Sequence, residues 1–168
     1  DGAIMCEPHF PRPAIGAIGK INLKVVVTGK SAHGSQPDRG INAVIEAGKL
    51  LVAIDDIERL AHPQYGKGTH CVLNITSGDG RYEIRVPDHC AFMINWHFMP
   101  GETAEEAVAL IEELAAGLNS AARFVVTIES PRYDSFELSP DHPFVRQFAE
   151  SFAAVNGKEP DYDFCFGV

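Results

Sequence analysis

The chain has 168 residues, of which 45% are hydrophobic and 22% charged, a composition typical of a soluble globular domain with a core of its own. A net charge of −9 and the absence of any run rich in lysine and arginine argue against nucleic acid or an anionic membrane surface as a partner. No stretch approaches the roughly 20 apolar residues that a membrane span needs, so we expect a soluble, cytoplasmic protein.

The first elements follow from the spacing of apolar residues. Residues 1–19 are rich in proline and glycine and predict a short apolar piece followed by a linker. Residues 21–28 alternate apolar and polar side chains, the pattern of a half-buried strand. From Gly40 onward the apolar residues recur at three- and four-residue steps, so we expect a helix over 39–61 with Asp38 as its N-cap.

Four further elements complete the predicted unit. Residues 69–78 and 88–98 both alternate and are expected to pair as a hairpin about the loop between them. Thr103 and Glu106 form a capping-box motif at the start of a second helix, and residues 123–130 form a fourth strand. The order is that of a ferredoxin-like βαββαβ fold. The predicted class is therefore α+β, with a four-stranded antiparallel sheet and two helices on one face.

Proline-rich segments lie on both sides of this unit, and apolar elements lie beyond them. A helix is predicted over 143–156, and the last residues have the pattern of a strand. This layout is typical of an inserted domain. We expect residues 1–18 to be a remnant of a second domain followed by a hinge, and 19–131 to be the compact unit. Residues 132–168 would then form a second hinge and lead back into part of the second domain. One irregular domain spanning the whole chain is the alternative.

Two residues are candidate functional groups. His33 lies in a polar turn between a strand and a helix, where an imidazole N–H can reach an oxyanion or a carboxylate, although solvated histidines are common in such turns. Glu7 directly follows an apolar run, where open α/β enzymes place ligands, although many strands simply end in a glutamate. The four cysteines have no C-x-x-C spacing, which favours buried free thiols over a metal site or disulfides.

Three stretches together resemble one known family. They are CEPH at 6–9, GKINLKVVVTGKSAHGSQPDRGINAV at 19–44 and GDGRYEIRVPDHCAFMINWHFMPGETAEE at 78–106. The pattern V-x-G-x-x-A-H-x-x-x-P-x-x-G-x-N-A within the second stretch is specific. The chain resembles the middle of the di-zinc amidohydrolase and peptidase family, which includes acetylornithine deacetylase, succinyl-diaminopimelate desuccinylase, aminoacylase and carboxypeptidase G.

The resemblance implies that 19–131 is the lid and dimerisation domain of a homodimeric hydrolase that cleaves an amide bond of an N-acyl amino acid or a peptide. Glu7 matches a ligand of one of two zinc ions per subunit, with cobalt or manganese as alternative metals. His33 matches the lid histidine that polarises the scissile carbonyl in the partner subunit, and Asn42 and His97 match substrate-binding positions. Because at most one zinc ligand is present, we expect this chain alone to hold no zinc and to be inactive.

Two positions depart from the family pattern. Ile84 stands where relatives carry asparagine, and His97 stands where they carry arginine, so the resemblance does not carry over their specificity for a substrate carboxylate. Two other interpretations remain. The chain is alternatively a free-standing ferredoxin-like module that binds a ligand or a partner without catalysis, or a degenerate relative that only dimerises.

Overall fold

The computed structural model describes residues 2–5, 12–59, 61–78 and 84–167. Two sheets, a two-stranded hairpin and three helices make up the regular structure of these ranges. The elements are β1 Ala14–Ala17, β2 Gly19–Thr28, α1 Ala43–Asp55, β3 Ala61–His62, β4 Gly66–Lys67, β5 His70–Thr76, β6 His89–Phe98, α2 Ala104–Gly117, β7 Arg123–Tyr133, β8 Phe136–Glu137, α3 Pro143–Asn156 and β9 Asp163–Cys165.

The main sheet has four antiparallel strands in the order β5-β6-β2-β7. Alternation sets which face of each strand is buried: the odd-numbered residues of β2 from Ile21 to Val27 pack against α1 and α2, together with the even-numbered residues of β6 from Cys90 to Phe98. Both helices therefore cover the same face. The ferredoxin-like α+β fold and its four-stranded antiparallel sheet are confirmed.

The first helix differs from its prediction at both ends. It begins at Ala43, and its N-cap is Asn42 instead of Asp38, because Pro37 and the two residues after it form a 3-10 turn that precedes the helix. It ends at Asp55, since the chain then turns into the β3–β4 hairpin around Pro63 and Gly66. The second and third helices agree with their predictions, and the capping box of Thr103 and Glu106 is formed.

A second sheet lies outside the βαββαβ unit. β1 is its central strand and pairs antiparallel with β8 and parallel with β9. β1 falls in the segment that the sequence predicted as a linker, so that prediction was wrong for 14–17. The proposed domain boundaries at 18/19 and 131/132 stay predictions, although β7 runs two residues past the second one. None of the helices in the described ranges is long and apolar enough to cross a membrane.

Candidate functional site

His33 lies in a loop, residues 29–42, that is closed by its own backbone. The Lys30 N–H donates to the Ile41 carbonyl at 2.9 Å, and the Ile41 N–H donates to the Lys30 carbonyl at 2.8 Å. Gly29 is required at the base of the loop because a Cβ there would lie 2.1 Å from the Ile41 carbonyl oxygen. The loop is thus fixed where β2 ends and α1 begins.

Ser35 sets the tautomer of the exposed His33 imidazole. The Ser35 backbone N–H donates to His33 Nδ1 at 3.3 Å, and Ser35 Oγ lies 2.8 Å from the same nitrogen. In neutral imidazole a nitrogen that accepts from an amide carries no proton, so the proton is on Nε2. Among the described residues none accepts this Nε2–H. His33 therefore presents a hydrogen-bond donor to an acceptor that approaches from solvent.

A second segment, residues 84–86, supports the His33 loop from the side. The Gly34 N–H donates to the Ile84 carbonyl at 3.0 Å, and the Val86 N–H donates to the Ala32 carbonyl at 2.8 Å. Ile84 itself is 57% exposed, although it is a large apolar side chain. The segment that includes Ile84 thus holds the backbone on both sides of His33 in place.

Asn42 is close to the same loop and serves as the N-cap of α1. Its Oδ1 accepts hydrogen bonds from the Val44 and Ile45 backbone N–H groups at 3.0 and 3.2 Å. These two bonds use the side-chain oxygen to satisfy helix amides that have no intrahelical partner. The predicted contact between Asn42 and substrate stays a prediction, and it would have to use the amide NH₂ group.

His97 lies at the opposite end of the main sheet, on the face away from the helices. It pairs with Lys20 of β2 in the strand register, and its Nδ1 is 3.4 Å from Thr69 Oγ1. Burial, and after it the charge of Lys20, lowers the pKa of His97, so its imidazole is neutral at pH 7. A neutral donor beside an ammonium group can bind an anion. The role of His97 in substrate binding nevertheless stays a prediction.

His33 and His97 are too far apart to contact one small molecule within a single chain. β2 runs from Lys20, opposite His97, to Thr28, just before the His33 loop. The eight residue steps between them, at roughly 3.3 Å each, span about 26 Å. The structure therefore brings His33 and Asn42 to one end of the sheet and places His97 at the other.

Glu7 lies outside the described residues, so its assignment as a zinc ligand stays a prediction. In the part of the chain that the structure describes, no group of three or more His, Cys, Asp or Glu side chains is placed to hold a metal ion. Cys6 lies outside the described residues; of the three described cysteines, all free thiols, Cys90 is buried, so the prediction of buried thiols was wrong for Cys71 and Cys165.

An exposed apolar surface lies along the β5 edge of the molecule. β5 is an edge strand whose side chains are exposed after the half-buried His70, and its residues Val72 and Ile75 pair with core residues of β6 but remain exposed themselves. α1 packs on β6 and β2 while α2 packs on β7, so α1 is the helix on the β5 side. We call this region the edge surface. Its large exposed apolar side chains are Val72, Leu73 and Ile75, whereas the exposed Ile45 and Val52 lie on the face of α1 opposite its buried residues.

Sequence reasoning missed three of these features. Ser35 follows His33 by two residues, and that spacing is the signal by which its hydrogen bond could have been found. Lys20 faces His97 only once the β2–β6 register is known. The exposure of the edge surface depends on how far the helices extend over the sheet, and no local sequence pattern predicts this.

Comparisons with known proteins match this fold. The family model described as peptidase dimerisation domain, M20_dimer, matches residues 15–123, well over half of the chain. The uncharacterized protein YgeY of Escherichia coli K12 is 29% identical over 176 residues, covering 95% of this chain and 43% of that protein. Acetylornithine deacetylase of Myxococcus xanthus is 27% identical over 121 residues, covering 67% of this chain and 31% of that protein.

A solved structure agrees with these sequence matches at the level of fold. The aminopeptidase PepT of Bacillus cereus superposes with a TM-score of 0.67 and 18% identity, over 92% of this chain and 40% of that one. The chain thus spans less than half the length of each of these similar proteins. By the family model that it matches, together with the βαββαβ unit described above, the chain belongs to the M20 peptidase dimerisation-domain family.

Proposed function

We propose that the chain is the dimerisation and lid domain, with flanking parts of a catalytic domain, of a metal-dependent hydrolase that cleaves an amide bond of an N-acyl amino acid or a peptide. Family membership supports a dimerisation role beside a peptidase. Two of the similar proteins are by name a deacetylase and an aminopeptidase, which agrees with amide cleavage. The zinc pair of this proposal would draw its ligands mainly from outside the described residues.

The observation that carries the proposal is the separation of His33 from the flanking segments. The chain enters the main sheet at Gly19 and leaves it at Tyr133, at the end where Lys20 lies. His33 lies beyond the other end, about 26 Å away along β2. A substrate bound where the flanks meet the sheet is out of reach of the same subunit's His33. We therefore assign His33 to the active site of a second subunit.

In that site His33 would act as a hydrogen-bond donor. Its Nε2–H would bind the carbonyl oxygen of the scissile amide and stabilise the negative charge that develops there when the carbonyl is attacked. Ser35 holds the imidazole in the tautomer that makes this possible. A bound metal pair would supply the activated water. His33 needs to lose no proton in this role, so it is neither a base nor a nucleophile.

The edge surface is the proposed contact between subunits. An exposed apolar edge strand is a template for pairing with another strand, and a two-fold axis would place two copies of β5 side by side with two copies of α1. The His33 loop leads directly into α1, so this contact would bring the loop toward the partner. Burying apolar side chains of this surface would drive the association.

The test is the mass of the chain in solution, measured by sedimentation over a dilution series. We expect the wild-type chain to be a dimer at micromolar concentration and the variant Ile75→Lys to be a folded monomer, because the ammonium group would be desolvated in the interface. Val155→Lys is the matched control, since Val155 is 85% exposed and lies on α3, outside the edge surface. A monomeric wild type, or a variant that stays dimeric, would count against the proposed interface.

A further inference from the structure

The β3–β4 hairpin is an addition to the βαββαβ order, and its aromatic side chains contact the flanking sheet. The Tyr65 ring stacks on His62 at a centroid distance of 4.7 Å and on Phe164 of β9 at 4.0 Å, with interplanar angles of 12° and 16°. Phe166 extends the row beyond Phe164, with the two ring centroids 4.9 Å apart. A row of four rings thus joins the hairpin to β9.

A polar contact joins the same hairpin to a second strand of the flanking sheet. The Tyr65 hydroxyl donates to Glu137 Oε1 of β8 at 2.7 Å, and His62 Nε2 lies 3.9 Å from Glu137 Oε2. The carboxylate, by accepting this hydrogen bond, raises the pKa of Tyr65 to about 12. Tyr65 therefore remains a donor throughout the physiological pH range.

The position of these contacts matters because the chain crosses between the two sheets at only two described places. One crossing is the β1–β2 junction at Ile18, and the other is the β7–β8 junction at 134–135. Two crossings define a line about which one sheet can rotate relative to the other. A further contact between the sheets restricts that rotation. Tyr65 supplies one by joining the hairpin to Glu137 of β8 and to Phe164 of β9, beside the buried cluster of Ile18, Met99 and Phe164.

We propose that the β3–β4 hairpin is a strap that fixes the orientation of the four-stranded sheet relative to the flanking three-stranded sheet, through Tyr65 and its contacts with Glu137 and Phe164. Tyr65 makes the hairpin's ring contact with β9 and the shorter of its two polar contacts with Glu137. The two sheets can therefore change their relative orientation when Tyr65 withdraws, without any loss of structure within either sheet. This inference concerns only the described residues and is independent of the proposed activity.

The test measures relative orientation directly, by residual dipolar couplings of backbone amides in the 168-residue chain. In the wild type, the couplings of β2 and β6 and those of β1, β8 and β9 should fit one common alignment tensor. In Tyr65→Ala they should require two tensors. Hydrogen exchange of the flanking-sheet amides should become about tenfold faster while exchange in β2 and β6 is unchanged. Tyr65→Phe, which keeps the aromatic ring, should increase hydrogen exchange in the flanking sheet by less than Tyr65→Ala does.

Tyr162→Phe is the matched control, since Tyr162 lines the same 780 Å³ cavity beside Tyr65 but its hydroxyl makes no hydrogen bond within the described residues. It should behave as the wild type does. The proposal that the hairpin is a strap would be overturned if the wild-type couplings required two alignment tensors, or if those of Tyr65→Ala fitted a single tensor. If Tyr65→Ala unfolds the main sheet as well, the milder variants Tyr65→Phe and Glu137→Gln provide the test. Faster hydrogen exchange of the β2 and β6 amides in these variants would show that the hairpin stabilises the core instead of fixing the orientation of the two sheets.

Discussion

His33 combines solvent exposure with a fixed tautomer, a combination that a purely structural histidine does not need. We predict that His33→Ala in the full-length protein lowers kcat about 10²- to 10³-fold, the loss typical of removing one donor to a developing oxyanion. The free energy of unfolding and the dimer should be unchanged because the side chain is exposed. Steady-state kinetics with an amide substrate provides the measurement.

His89→Ala is a suitable control for that kinetic experiment. His89 is another exposed histidine and lies at the same end of the main sheet, opposite Thr28. Its loss should leave kcat near the wild-type value. Equal losses in the two variants would indicate a general electrostatic effect, and full activity of His33→Ala would favour the degenerate relative that only dimerises.

Tyr65 gives a prediction about alkaline pH. Its pKa is raised from 10.0 to about 12 in the folded chain, so the hydrogen bond to Glu137 contributes stability that is complete below pH 10 and is lost as the pH rises through 12. We expect the stability difference between the wild type and Tyr65→Phe, measured by urea unfolding, to shrink over this interval. In Glu137→Gln the ultraviolet absorbance of tyrosinate should appear at lower pH than in the wild type. An unchanged titration would contradict the assigned cause.

At the scale of elements, Asn42 tests whether capping and substrate binding can be separated. Asn42→Ala should lower the free energy of unfolding by about 1 kcal/mol because two helix amides lose their acceptor. Asn42→Asp keeps the acceptor oxygen and should be nearly as stable as the wild type, which chemical denaturation can measure. If Asn42→Asp is stable but raises KM in the full-length protein, the amide NH₂ contacts substrate. Equal destabilisation by both changes would rule out the cap.

Strands and helices with strong periodicity were predictable from the sequence, and irregular segments were not. The alternation in β2 and β6 identifies their buried faces, and Thr103 with Glu106 identifies the start of α2. The start of α1 was misplaced because Asp38 and Asn42 are both good N-caps, and only the 3-10 turn at Pro37 separates them. The contact between Tyr65 and Glu137 joins residues 72 positions apart, which no local rule predicts.

The candidate site was predictable only in part. His33 could be selected from its turn, and Ser35 from its spacing, because both belong to one local loop. Whether His33 and His97 share a site could not be decided, since that depends on the direction of β2 and on where the flanks join it. The register places His97 opposite Lys20 at one end of β2, about 26 Å along the strand from Thr28, after which the His33 loop begins.

At the scale of the whole molecule, the two ends of the main sheet have different roles in the proposal. One end carries the crossings to the flanking sheet, with Lys20 and His97 nearby. The other end carries His33, beside an apolar edge surface suited to a second copy of the chain. In this proposal each site then needs His33 from the partner subunit. Dimerisation and activity are therefore coupled in this account.

The measurement that tests this central claim most directly is activity in mixed dimers of the full-length protein. His33→Ala and Glu7→Ala subunits, each inactive alone, are combined in equal amounts and allowed to exchange. If His33 serves the partner, each mixed dimer has one complete site, and since half of the dimers are mixed we predict about a quarter of wild-type activity. Ile75→Lys in both subunits should abolish the recovery. Failure to recover activity, with exchange verified by mass, would show that His33 acts within its own subunit or not at all.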